Sequence, residues 1–423
     1  APRASGRSQL RNFTRSGKPF GALSARRARL LHCPTMPGSR SGRPEAPFQI
    51  AQVDGTDASD LFVHAIPALA AKGDRAQFRS MAQNSLDGLL ALGAVPADVV
   101  AGWVYLREQP SWSARHELAA AWDQPDPERL PLTFLMQPPA TSHRFCEMQL
   151  HASRRRSDRC SVVWKGSFPG PLCTTVLRAG ARRLRMLSLV PRLSSGGNNT
   201  LADMAYDMFA SASHALTDRG MSFHDVVRTW IHLRDIDHDY VGFNLGRRQF
   251  FEAAKMVRLP ASTAIQAAHA DSYGPLAMDL YAVAGDEVIV EAMPPAPMGE
   301  ASAYGSFFAR GSLLREGRQR LAFLSGTASI DQQGRIVAPG DAKGQLCCMF
   351  ANAAAVLGQA GLGLADAVSV TAYLKSASLL PEFRRAALAA RLPVSVPTAT
   401  VVANICRPEW LCEIELVAGR TQD

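Results

Sequence analysis

The chain lacks every cysteine pattern that signals a bridge or a metal. Its eight cysteines (Cys33, Cys146, Cys160, Cys173, Cys347, Cys348, Cys406 and Cys412) form no C-x-x-C pair and no Cys/His set with zinc spacing. Cys347 and Cys348 are adjacent, a poor geometry for a disulfide, so the thiols read as reduced and the protein as cytoplasmic. Long apolar runs are missing too. The best candidate, Leu89–Leu106, is interrupted by Pro96 and Asp98, and no membrane span is expected. There is no G-x-S-x-G elbow, no H-E-x-x-H and no P-loop. Gly361-Leu362-Gly363-Leu364 sits at a helix end and not between a strand and a helix, which excludes a dinucleotide loop. His214, His224, His232 and His238 lack a ligand-like partner set, so neither a metal nor a cofactor is expected.

Acidic residues are absent from one region, residues 1–44, which hold nine arginines and one lysine. The net charge of +9 for 423 residues therefore leaves about −1 for everything beyond that stretch. Basicity belongs to a tail and not to a binding groove, so a nucleic-acid partner is not expected. Residues 1–46 are Arg/Ser/Gly/Pro-rich without hydrophobic periodicity and read as a disordered tail. Two origins fit that composition: an organellar transit peptide, or translated sequence upstream of a start at Met36. The apolar content, 47%, is that of an ordinary globular protein, and the length allows roughly two to four domains.

What is present is a pattern written three times. Leu89, Gly93, Asp98, Val100, Trp103, Leu106 and Arg107 recur as Leu216, Gly220, Asp225, Val227, Trp230, Leu233 and Arg234 at one constant offset. Leu216, Gly220, Asp225, Val227 and Leu233 recur again as Leu357, Gly361, Asp366, Val368 and Leu374. Each copy reads as a helix stopped at glycine, a strand, a second helix and a closing strand pair. The closing strands each carry an acid at the corresponding place: Glu147, Asp279 and Glu413. The spacing predicts modules at 47–152, 186–290 and 305–423. Between them lie a stretch at 153–185, with nine basic residues against one acid, read as a linker or insertion, and a Pro-rich linker at 291–304.

Ser325-Gly326-Thr327-Ala328-Ser329-Ile330-Asp331 near the start of the third copy, with Cys412-Glu413-Ile414-Glu415 at its end, resembles the RidA/YjgF/UK114 superfamily. The likeness is strongest over 305–419, good over 200–285 and faint over 48–152. It implies an α+β, chorismate-mutase-like fold, and three tandem modules would make a single-chain pseudo-trimer that is monomeric in solution. It also implies a small-molecule cleft between modules, with Ser325, Gly326 and Thr327 lining it and Glu413 positioning water or transferring a proton. A carboxylate at such a seam is partly desolvated, which moves its pKa toward useful acid/base values.

The sequence departs from the family's 2-iminoacid deaminases at one point. Those carry an Arg shortly after the Pro of the strand preceding the glutamate, and this chain reads Pro131-Leu132-Thr133, Pro260-Ala261-Ser262 and Pro397-Thr398-Ala399. Tyr304-Gly305-Ser306-Phe307-Phe308-Ala309-Arg310, Val226–Ile231 and the Cys406…Glu413 pair look instead like the chorismatase branch. That resemblance gives Glu413 the task of protonating an enolpyruvyl methylene. It gives Arg310, with Arg247 or Arg248, the task of holding carboxylates, with Tyr304 and Cys406 beside them. Three functions stay open at this point. They are metal-free hydrolysis or deamination of a small unsaturated enamine- or imine-type carboxylic acid, chorismate-type cleavage releasing pyruvate, and non-catalytic binding of a small acid.

Overall fold

The computed structural model describes residues 46–156, 200–270, 274–295 and 297–422, together with the backbone of short strands at 26–27, 29–31, 161–165, 172–178 and 181–189. The described residues form a mixed α+β structure of three sheets and six α-helices. Two short strands, β1 (Arg26–Arg27) and β2 (Arg29–Leu31), come first. They are followed by β3 (Phe48–Asp54), β4 (Ala58–Ala65), α1 (Asp74–Ala91), β5 (Val99–Leu106), α2 (Ala114–Ala121), β6 (Leu132–Met136) and β7 (Cys146–Arg155). Next come β8 (Ser161–Lys165), β9 (Leu172–Arg178), β10 (Ala181–Leu189), α3 (Leu201–Thr217) and β11 (Val226–Leu233). Then follow α4 (Ile236–Ala253), β12 (Ala261–Gln266), β13 (Ala268–His269) and β14 (Leu276–Gly285). The chain ends with β15 (Val288–Ala292), β16 (Gly311–Glu316), β17 (Gln319–Ala328), α5 (Ala342–Gln359), β18 (Ala367–Leu374), α6 (Leu380–Ala389), β19 (Thr398–Val402) and β20 (Cys412–Thr421).

Each sheet contains the same run of five strands: β3-β4-β7-β5-β6, β9-β10-β14-β11-β12 and β16-β17-β20-β18-β19. The last pair in each run is parallel, joined by a crossover helix. A bulge falls at the same place in each middle strand, between Val99 and Ala101, Val226 and Arg228, and Ala367 and Ser369. The residues that recur in sequence have local backbone tasks. Gly93, Gly220 and Gly361 take φ values of 68°, 68° and 66° just past their helices, a conformation only glycine adopts without strain. The amide of the next residue then closes back on Leu89, Leu216 or Leu357 at 2.9, 3.0 and 3.1 Å. Asp98, Asp225 and Asp366 accept from the amides of Val95, Ser222 and Gly363, fixing the turn into the strand.

Both faces of these sheets are covered. Helices pack on one face over three separate cores. The other faces meet in a fourth cluster that includes Phe62, Trp230, Tyr281, Leu321 and Phe323. Strands β4 and β11 are buried at every position, with Asp60, His64, Arg228 and His232 included, so their sequences show no clean alternation. Around this centre, contacts pass in one direction from sheet to sheet. Trp103 Nε1 donates to Asp279 (2.9 Å), Trp230 Nε1 to Glu415 (3.0 Å), and Thr371 Oγ1 to Gln149 (2.8 Å), a closed cycle.

Several expectations change. Strands β8–β10 lie within or just past the stretch read as a linker, and β10 pairs with β14 from Ala181 opposite Gly285 onward. They complete the second sheet where β3–β4 and β16–β17 complete the others. Arg182, Arg183 and Arg185 break the alternation that would have marked the strand. β1 and β2 fall in the stretch expected to be disordered; its other residues up to Glu45, including Cys33 and Met36, lie outside the described residues, as does Cys160. No described helix is long and apolar enough to cross a membrane.

Candidate active site

Between the second and third sheets lies a small cleft lined by polar, aromatic and charged side chains. Tyr240 and Arg247 reach it from α4, two turns apart on one face. Ser262 and Thr263 enter from β12, Tyr304, Phe308 and Arg310 from the segment before β16, Gly326 from β17, and Cys406, Trp410 and Glu413 from the turn into β20.

Glu413 is 4% exposed. Burial, reinforced by the neighbouring charge of Glu415, pushes its carboxyl up to about 8 against the opposing pull of Arg228 and Arg310. At neutral pH it therefore carries a proton. Gly326 makes room for it, since a Cβ there would stand 2.1 Å from Glu413 Oε1. Cys406 is pushed up to about 12, first by burial and then by Glu413, so it lines the wall as a neutral thiol.

The cations have a different character. Arg310 donates through Nε to the Gly299 carbonyl (3.0 Å), through Nη1 to Tyr304 Oη (2.6 Å) and through Nη2 to the Met298 carbonyl (3.4 Å). Arg247, 1% exposed, donates to Asn244 Oδ1 and stacks over Phe243, while its Nε has no hydrogen-bond partner. Neither guanidinium forms a salt bridge to a carboxylate among the described residues. Two buried positive charges held by neutral groups are costly unless an anion arrives to meet them.

Six of the nine residues singled out from sequence line this cavity: Glu413, Arg310, Tyr304, Gly326, Cys406 and Arg247. Three do not. Ser325 is buried in the wall, donating to the Ala309 carbonyl (2.5 Å) and accepting from the Ser262 amide (2.9 Å), so it stitches β17 to β12. Thr327 donates to the Ser325 carbonyl (2.8 Å) and braces the bulge that carries Gly326. Arg248 is turned about 100° around α4 from Arg247 and lies on the outer face near Glu252 (3.8 Å). Tyr240, Thr263, Phe308 and Trp410 were not among the residues assigned to a site from sequence. The seven-residue spacing of Tyr240 and Arg247 was the available signal for the first.

The acids need a correction. Glu413 lies opposite Tyr373 and Glu147 opposite Tyr105, but Asp279 lies opposite Trp230, as Glu415 lies opposite Thr371. Asp279 therefore corresponds to Glu415, and Ala277 occupies the place of Glu413. Residues two apart share a strand face, so sequence could not separate the two alignments.

The two corresponding clefts are closed. Glu147 accepts from the Thr400 amide (3.0 Å) and meets His64 Nε2 (3.1 Å), with Arg144 at 3.8 Å. His64 stands where the third sheet has its Ser325–Gly326 bulge and fills the space that glycine leaves open. Where Ala277 replaces the acid, His232 and His269 pack together (3.3 Å), and burial pushes His232 down to about 3. Replacing Glu147 by leucine is expected to cost about 3–5 kcal/mol in denaturant unfolding, because Arg144 and the Thr400 amide lose a buried partner. Turnover per folded molecule should not change; a large loss of turnover would give that cleft a catalytic role.

Among the described residues no three His, Cys, Asp or Glu side chains gather to hold a metal ion. Residues 314–419 match the family model described as endoribonuclease L-PSP. Over most of the chain, a crystal structure of chorismatase is similar at a TM-score of 0.59 with 18% identity, covering 86% of this chain and 100% of that one. Smaller matches include a putative endoribonuclease L-PSP from Entamoeba histolytica (18% identity, 31% of this chain, 98% of that one, TM-score 0.27). Another is a YjgF/YER057c/UK114-family protein from Mycobacterium tuberculosis (25% identity, 29% of this chain, 97% of that one, TM-score 0.23). No curated protein matches. The fold over most of the chain is thus similar to that of chorismatase. In sequence, the match to the endoribonuclease L-PSP family is confined to residues 314–419.

Proposed function

We propose that this chain is an enzyme that hydrolyses the enol ether of a small unsaturated dicarboxylic acid of the chorismate type, releasing pyruvate. The observation that carries this reading is charge: a neutral, proton-bearing Glu413 shares one cavity with two guanidinia that have no carboxylate partner. Two carboxylates on the substrate would meet Arg247 and Arg310, the second of which also holds the Tyr304 hydroxyl. Glu413 would then deliver its proton to the terminal methylene carbon of the enol ether. Water adds to the resulting oxocarbenium carbon, the hemiketal opens, and the C–O bond to the ring alcohol breaks to leave pyruvate. Glu413, left as carboxylate, takes back a proton from the added water. The chorismatase-like fold supports the assignment at the level of architecture.

The same reading makes the chain a monomeric pseudo-trimer whose three clefts have diverged, with one kept open. Hydrolysis of a 2-iminoacid, implied by the RidA/YjgF/UK114 resemblance of the third module, is a second reading. It would use the same acid but leave one guanidinium without an anion.

Purified protein is expected to release pyruvate from chorismate and no ammonia from 2-iminoacids. Arg247→Met and Arg310→Met should each raise KM about 10- to 100-fold, the scale of one charged hydrogen bond. Ammonia release without pyruvate release would favour the second reading. Saturable binding of a small acid with neither product would make the chain a binding protein.

A further inference from the structure

One buried charged pair behind the cavity takes no part in that chemistry. Arg228, on β11, is 2% exposed and touches three strands at once. Its Nη2 donates to Thr263 Oγ1 on β12 (2.6 Å) and to Glu415 Oε2 on β20 (2.6 Å), and its Nη1 donates to the Leu324 carbonyl on β17. Trp230, 5.0 Å from the guanidinium, donates to the other oxygen of Glu415 (3.0 Å). These strands form the Glu413 side of the cavity. Thr263 lines it, Leu324 leads into the bulge that holds Gly326, and Glu415 lies two residues from Glu413 on the same strand face. At the places matching Arg228, the first sheet has Ala101 and the third has Ser369, behind the two clefts that are closed. The arginine accompanies the open cleft.

We propose that Arg228 is a positioning residue for Glu413: with Glu415 it forms a buried ion pair that clamps β12, β17 and β20 together and sets how firmly Glu413 holds its proton. The proposal rests on Glu413 being the acid of the site. The two members of the pair act on Glu413 in opposite senses, Glu415 favouring its protonated form and Arg228 its ionised form. Arg310 acts in the same sense as Arg228, and Arg247 faces Glu413 across the cavity. The remaining titratable neighbours are Tyr240, Tyr304, Tyr373, Cys406 and Cys412. Burial pushes all of them up, so they stay neutral while Glu413 titrates.

Removing one partner or the other should therefore move Glu413 in opposite directions. In Arg228→Met the charge of Glu415 is left uncompensated, Glu413 ionises at higher pH, and the alkaline fall of kcat moves up by about one pH unit, a tenfold change in proton affinity. In Glu415→Gln the repelling charge is gone and the fall moves to lower pH. Arg228→Lys keeps the charge, so the pH position should stay, while kcat drops because one ammonium cannot hold Thr263, Leu324 and Glu415 together. The same shifts should appear when the carboxyl of Glu413 is titrated by carbon-13 NMR in the substrate-free protein. Opposite shifts in the two variants support the proposal. A carboxyl that titrates at the same pH in every folded variant, or moves the same way in both, overturns it. Because that titration needs no turnover, a carboxyl that shifts as stated while no substrate is consumed would sink the catalytic reading and leave the clamp standing. Should Arg228→Met not fold, Arg228→Gln, which also removes the charge, takes its place in the comparison with Glu415→Gln.

Discussion

Glu413→Gln is expected to lower kcat by about 10²- to 10⁴-fold, the range for loss of a general acid, while making the protein more stable at alkaline pH. The two effects have one cause. In the folded chain the Glu413 carboxyl is held up at about 8, well above its ordinary value of 4.5. Below the unfolded value the group is protonated in both states and contributes no difference. Between the two values the native state keeps a proton that the unfolded chain has released, so stability falls as pH rises. Above about 8 the penalty is complete, on the order of a few kcal/mol. Glutamine has nearly the same shape and never ionises, so it escapes the penalty. Urea unfolding at pH 5 should separate wild type and variant by less than about 1 kcal/mol, and at pH 9 the variant should be the more stable. In the wild type, kcat should fall as pH rises through about 8. A variant that keeps its turnover, or loses stability at pH 9, would remove Glu413 from the role given to it.

How much of this was legible in the chain depends on whether a residue serves its own backbone or a distant partner. Leu89, Gly93 and Asp98 and their two later sets were readable because each completes a local turn: the leucine carbonyl, the glycine's positive φ and the aspartate's cap lie within ten residues of one another. Strands, helices and their order followed from the same local rules. The hairpin of β9 and β10 did not, because its arginines hide the alternation and its pairing partner β14 lies far along the chain. The face of β20 was readable from period two, yet that same period left Asp279 open to being matched with Glu413 or with Glu415. Ser325 and Thr327 were chosen for the cavity by resemblance, and their hydroxyls turned out to brace the backbone that presents Gly326. Arg247 on α4 and Glu413 on β20 line one cavity from different modules, and no spacing rule within one module could bring them together.

The contrast between the open cleft and the closed one around Glu147 comes down to one missing side chain, and it can be tested at that position. Gly326→Ala is expected to lower kcat/KM by about 100-fold or more, on the scale of a roughly 1 Å misplacement of a catalytic group. An added Cβ would meet Glu413 Oε1 at 2.1 Å, its Cδ at 3.0 Å and Thr263 Cγ2 at 3.2 Å. Backbone conformation is no obstacle, because Gly326 is not among the positive-φ glycines. Space is the whole difficulty. The strand cannot retreat, since Ser325 and Thr327 on either side are tied to the Ala309 carbonyl, the Ser262 amide and the bulge itself. The carboxyl must move instead, into the volume where substrate binds. The fold should survive, at an overpacking cost of about 1–3 kcal/mol. His64 fills the corresponding place beside Glu147, and that cleft is closed. Shortening the acid in the same molecule makes the test specific. Glu413→Asp withdraws the carboxyl from the added methyl, so Gly326→Ala should cost much less in that background than in the wild type. Strictly additive losses would mean that Gly326 matters for some reason other than the room it gives Glu413, and the account of why one cleft stays open would fail with it.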